Sequence, residues 1–169
     1  AIGTAGYTAM LSVLALESER HSCLVVGEDL GTVPPEMSHA MGERTVYSYR
    51  VLLFAKRPDG SFMAPGEYPR RAIATVTTHD LPTLRGYWSG GDIDLRQRLS
   101  LYPSAEMRQY VADERVRDRQ ALLAALEANG LRPAGASAAP DAYTDALSHA
   151  IHVYLARTAA ALVVLQAED

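Results

Sequence analysis

Two carboxylates in this sequence follow apolar runs instead of sitting among other surface charges. Glu28 comes directly after Leu24-Val25-Val26-Gly27, and Asp80 after Ala74-Thr75-Val76-Thr77-Thr78-His79. Short apolar runs without alternation suit strands buried on both faces, as in a parallel sheet. Each acid therefore arrives where such a strand ends, and in a β/α barrel that end is the active-site face. Paired carboxylates there fit glycosidic-bond chemistry, in which one acid must hold a proton for the leaving oxygen while the other stays ionised. His79, next to Asp80, can donate to a sugar hydroxyl as a neutral imidazole. Position alone also allows plainer roles. A strand-end acid can cap the next helix, as Asp29 could for the segment opening at Pro34, and His79 could be a core histidine bonded to backbone.

The elements that must hold these residues can be read from pattern. Residues 8–20 carry an apolar stripe ending in Glu17, Glu19 and Arg20, which predicts a helix. Strands are expected at 23–27, 46–54 and 72–77. A short helix should open at Pro34-Pro35 and stop at Gly42. Arg57-Pro58-Asp59-Gly60 has the residues of a turn, inside an irregular stretch from 55 to 70. Beyond Asp80 the chain reads as helical: a short helix over 94–100, a long one capped by Ser104 and running to about Leu126, and a last one over 141–166, with a small-residue linker at 134–140. Buried strands alternating with helices imply an α/β fold with a parallel sheet. Three strands alone would leave open sheet edges. The expected architecture is thus a portion of a (β/α)8 barrel with additional C-terminal helices. Residues 1–169 form one unit, with the strand-and-helix part at 1–90 and a mainly helical part at 91–169.

Bulk properties narrow the class. A net charge of -4 without a Lys/Arg run argues against a nucleic-acid partner. The longest apolar run, Thr158 to Leu165, is far short of the roughly 20 residues of a membrane helix, so no membrane partner is expected. Cys23 is the sole cysteine, read as a buried core thiol, and with no internal disulfide to form the expected location is cytoplasmic. Ala1-Ile2-Gly3 reads as an end made by cutting. Asp145, His149 and His152 fall on one helical face at a spacing that can ligate a cation, but a catalytic zinc helix would add a Glu beside the first His. The expectation there is a packed helix edge, with no metal and no cofactor.

Particular words carry more than positions do. Val26-Gly27-Glu28-Asp29-Leu30-Gly31-Thr32-Val33-Pro34 closely resembles the acid/base segment of the 4-alpha-glucanotransferase (amylomaltase) family. Thr78-His79-Asp80-Leu81-Pro82-Thr83-Leu84-Arg85-Gly86-Tyr87-Trp88 resembles that family's second active-site segment. Val46 to Leu52, Ala64 to Pro69 and Leu14 to Ser18 agree as well, in the right order, and the resemblance extends over about residues 7 to 130. It implies the C-terminal half of a catalytic barrel acting on maltooligosaccharides or other alpha-1,4-glucans. Glu28 resembles the general acid/base, Asp80 the carboxylate that grips sugar hydroxyls in the oxocarbenium-like state, and His79 its partner on the same sugar. Asp29 is a candidate beside Glu28. Trp88, with Tyr47, Tyr49 and Tyr87, is a candidate sugar-facing wall, against the plainer alternative of core packing.

The resemblance is incomplete. The family's nucleophile belongs to an Arg-x-Asp-His-type segment, and none occurs in these 169 residues. A retaining enzyme without its nucleophile forms no covalent intermediate. The expectation is a catalytic parent and an inactive isolated chain, self-associating through open sheet edges if it folds alone. Two rivals follow: a non-catalytic alpha-glucan-binding or assembly module derived from the barrel, and a hydrolase using the same carboxylates.

Overall fold

A computed structural model describes residues 4–169. The reading of Ala1-Ile2-Gly3 as a cut end lies outside them. The chain runs α1 (Thr4–Arg20), β1 (Val26–Gly27), α2 (Pro35–Glu43), β2 (Tyr47–Val51), β3 (Ala72–Thr75), α3 (Leu84–Ser89), α4 (Gly91–Arg98), α5 (Ala105–Ala128), α6 (Asp145–Ala156) and β4 (Leu162–Val164). All strand pairs are parallel and their spatial order, β1-β2-β3-β4, is the order in sequence. In a doubly wound sheet the order would reverse at a switch point. Each strand lying beside its predecessor is barrel order.

The helices form where their caps and stripes place them. Ser104 Oγ accepts the Met107 amide at 3.2 Å and starts α5. Its buried positions Arg115, Arg119, Leu122, Leu123 and Leu126 repeat at helical spacing, and Gly130, at φ +67°, lets Leu131 return its amide to the Leu126 carbonyl. Thr144 Oγ1 accepts the Leu147 amide at 3.2 Å, and Leu147, Ala150, Ile151, Tyr154 and Leu155 are the buried stripe of α6. These stripes meet Leu52, Phe62, Val76, Leu84 and Trp88 in one core.

Several expectations need correcting. The last helix does not run from 141 to 166: it stops at Ala156, and the sheet gains β4, a fourth strand. Past the helix end, the Ala159 and Ala161 amides donate to the carbonyls of Pro65 and Arg70, and Ile73, Ala74 and Thr75 pair with Leu162, Val163 and Val164. Long-range partners capture the backbone that a helix would have used. β1 keeps two residues of the expected 23–27, and Cys23 is exposed, not a core thiol, because this run lies along the outer edge of the sheet. β2 gives way at Leu52 to a 3-10 turn over Leu52–Phe54. In the stretch beyond Asp80 that reads as helical, α3 is a separate short helix, and α4 begins at Gly91, earlier than 94. No helix among the described residues is long and apolar enough to cross a membrane.

Candidate active site

Glu28, Asp29, His79 and Asp80 all follow the C-terminal ends of strands, the first two after β1 and the last two after β3. β1 is cut short by Asp29. Val26 and Gly27 pair with Tyr47 and Ser48, but the next amide of β2, from Tyr49, donates to Asp29 Oδ1 at 2.8 Å. Asp29 Oδ2 accepts from the Arg50 guanidinium at 3.0 Å. The carboxylate is only 3% exposed, so Asp29 is a structural clamp and has no surface for a sugar. A side chain thus replaces the ladder bond, the strand ends, and Glu28 is left exposed at its tip. A Cβ at Gly27 would displace the flexible end of the Met41 side chain of α2 and sit 3.3 Å from a Val46 methyl. Tyr49 faces Glu28: burial first, and the Glu28 charge second, push its phenol above the usual range.

After β3, Thr77 and Thr78 are still buried, and then His79 and Asp80 are exposed. Thr78 turns the chain, accepting the Asp80 amide on its hydroxyl at 3.3 Å and the Leu81 amide on its carbonyl at 3.0 Å. His79 Nε2 lies 3.4 Å from Asp80 Oδ2, and both side chains are mostly open, at 87% and 78%. Among the described residues, neither Glu28 nor Asp80 has its carboxylate taken up by a backbone amide or an arginine.

Trp88 is a correction. It has no exposed surface, its indole N–H donates to the Ala139 carbonyl at 3.1 Å, and its ring packs against Tyr143. α3 turns it inward, as the core alternative allowed. Tyr87 also faces away from a sugar: Arg115 stacks on its ring at 3.6 Å and its hydroxyl donates to Asp118. An aromatic that the sequence reading passed over stands open instead. Phe54, 57% exposed, lines a cavity of about 500 Å³ with Asp29, Tyr49, Arg50 and Met63. The strand-end rule that picked out Glu28 applies equally to Phe54, which the 3-10 turn swings outward; taking 46–54 as one strand hid it. No group of three candidate metal ligands comes together among the described residues, Asp145, His149 and His152 included.

A parallel sheet whose strands lie in sequence order, with exposed acids past the ends of β1 and β3, defines a portion of a (β/α)8 barrel. The chain belongs to the 4-alpha-glucanotransferase family (glycoside hydrolase family 77), whose pattern matches residues 3–169. It is 39% identical over 165 residues to a 4-alpha-glucanotransferase of Haemophilus influenzae, covering 96% of this chain and 23% of that protein. It is 34% identical over 170 residues to one of Mycobacterium bovis, covering 96% and 22%. The crystal structure of amylomaltase from Corynebacterium glutamicum superposes with a TM-score of 0.81 at 31% identity, over 94% of this chain and 23% of that one. The chain therefore spans under a quarter of the length of these relatives.

Proposed function

We propose that the protein carrying these residues is a 4-alpha-glucanotransferase that moves alpha-1,4-glucan segments between maltooligosaccharides by a retaining route, in the cytoplasm. The observation that carries this reading is that Glu28 and the His79–Asp80 pair project from the ends of two strands of one parallel sheet, with carboxylates left free by the fold. Glu28 gives its proton to the 4-oxygen of the departing chain as a carboxylate nucleophile bonds to the anomeric carbon. The 4-hydroxyl of an acceptor glucan then returns a proton to Glu28 and takes the glycosyl group. Asp80 and His79 hold hydroxyls of the sugar being distorted, with most effect in the oxocarbenium-like state. Phe54, exposed just past β2, the strand between β1 and β3, offers an apolar face that favours a sugar over water.

No Arg-x-Asp-His segment occurs in the 169 residues, so the nucleophile in this reading comes from outside them and the isolated chain turns nothing over. Incubating the full-length protein with maltotriose should yield a ladder of longer products that Glu28→Gln abolishes. A ladder that survives Glu28→Gln would move the acid/base elsewhere. Glucose without longer products would indicate a hydrolase, and binding without products a glucan-binding module. A ladder from the isolated chain would refute its dependence on an outside nucleophile. Made alone, the chain would also expose both sheet edges, and a monomer by light scattering would count against self-association.

A further inference from the structure

The exposed loop bearing His79 and Asp80 is fastened at both ends to one short segment after β4. At its entry the Thr77 hydroxyl donates to the side-chain oxygen of Gln166. At its exit the Leu84 amide, the first of α3, donates to Asp169 Oδ1 at 2.5 Å. The bonds within the loop, from Asp80 and Leu81 to Thr78, shape the turn but do not attach it to anything else. The Asp169 side chain has no exposed surface, and its other oxygen, Oδ2, lies 4.0 Å from His152 Nε2 of α6. Neither atom has a hydrogen-bond partner. His152 Nδ1 lies 2.9 Å from the Ser148 carbonyl and 3.4 Å from the Ser148 hydroxyl, which anchor the ring on α6. Its other nitrogen, Nε2, is the atom that faces Asp169. One water at about 2.8 Å from each atom would link the two.

We propose that Asp169 and Gln166 are positioning residues for His79 and Asp80, holding the two ends of their loop, with His152 bracing Asp169 from behind. The proposal rests on the reading of His79 and Asp80 as the pair that grips the sugar. A loop open to solvent on its outer side owes its register to the neighbouring strand, and misplacing a gripping carboxylate by about 1 Å can cost on the order of a hundredfold in rate.

The test uses the full-length protein, with Asp169→Ala, Asp169→Asn and Gln166→Ala. Hydrogen exchange is followed at amides 78–84, and kcat and KM are measured on maltotriose. In Asp169→Ala the Leu84 amide should exchange about tenfold faster or more, and kcat should fall about 10- to 100-fold with KM changed much less, the mark of an interaction made in the transition state. Asp169→Asn keeps an oxygen for the Leu84 amide and should recover most of both. Gln166→Ala should loosen the entry end with a smaller loss of kcat, and it stands in if Asp169→Ala fails to fold. Unchanged Leu84 exchange would overturn the proposal, and so would a freed loop with unchanged kcat. Equal losses in Asp169→Ala and Asp169→Asn with a lowered unfolding temperature would also overturn it, by showing a general packing role. If the parent makes no transfer products, the functional reading fails, while Leu84 exchange still decides whether Asp169 holds the loop.

Discussion

Removing the Asp29 carboxylate should release one named amide and leave its neighbours in place. Asp29 accepts the Tyr49 amide at 2.8 Å and the Arg50 guanidinium at 3.0 Å, with its carboxylate almost fully buried. Arg50 is 29% exposed, so it can turn to water when its partner is lost, and the ion pair itself adds little. The main loss is the Tyr49 hydrogen bond. A bond to a charged group is worth roughly 1.5–3 kcal/mol, and about 1.4 kcal/mol is a factor of ten in an opening equilibrium. In Asp29→Ala the Tyr49 amide should therefore exchange about 10- to 150-fold faster in the full-length protein. Ser48 is the internal control. Its amide donates to Arg71 at 3.0 Å, on the β3 side, and should keep its protection. Asp29→Asn retains an uncharged acceptor and should fall between. Because Asp29 fixes the peptide beside Glu28, kcat on maltotriose should fall along with Tyr49 protection. Equal acceleration at Ser48 would mean the whole sheet had loosened, and an unchanged Tyr49 would mean the carboxylate does not end β1; either result refutes the clamp.

Other outcomes follow from the same contacts. Trp88→Phe removes the donor to the Ala139 carbonyl from a fully buried site, so the unfolding midpoint should drop by an amount equivalent to about 1–3 kcal/mol while KM stays put; a raised KM would return Trp88 to the sugar site. Arg115→Met strips Asp92 of a two-pronged partner at 2.8 and 2.9 Å and frees the Tyr87 ring, which should cost about 3 kcal/mol in denaturant unfolding, with Arg115→Lys recovering only part. Glu67 is held below the ordinary glutamate range by the Ala64 amide first and by Arg57 second. Its contribution is present above the unfolded-state pKa and is lost as pH falls through the lower folded value, so the parent and Glu67→Gln should differ in melting temperature at neutral pH and converge in acid.

How far the sequence could be read depended on whether the deciding partner was near or far along the chain. Leu24-Val25-Val26 and Ala74-Thr75-Val76 announced strands by composition, and the acids after them could be placed at strand ends without any structure. The α5 cap, Ser104, acts on an amide three residues away and was legible; Thr144 caps α6 in the same way, but the pattern placed that helix's start at Asp141. β4 was not. Leu162-Val163-Val164 follows an alanine-rich stretch that continues the helical pattern, and only the carbonyls of Pro65 and Arg70 and the open edge of β3 make it a strand. Trp88 shows the same limit at the site: its neighbour in the sequence motif, Arg85, is exposed, and which way the next turn of α3 faces is settled by Tyr143 and Ala139, far along the chain.

Asp29 and Asp169 use one device twice. Each follows a strand by a few residues, each is buried, and each catches a backbone amide of the adjoining element, Tyr49 in one case and Leu84 in the other. The exposed groups adjoin these fixed points: Glu28 precedes Asp29 in the chain, and His79–Asp80 precede Leu84, whose amide Asp169 holds. The division is physically necessary. A carboxylate that must meet a sugar has to stay free of protein donors, so it cannot fix its own backbone. A carboxylate that fixes backbone is buried with an oxygen held by an amide, so it cannot meet a sugar. Burying a charge is costly unless it is matched, and an amide donor supplies part of that match while restricting the chain. Asp→Asn at either position should accordingly be gentler than Asp→Ala on the fold and on rate together, since an oxygen still meets the amide. By contrast, Glu28→Gln should leave the fold untouched and abolish transfer, because there the proton matters and the oxygen's position alone does not suffice.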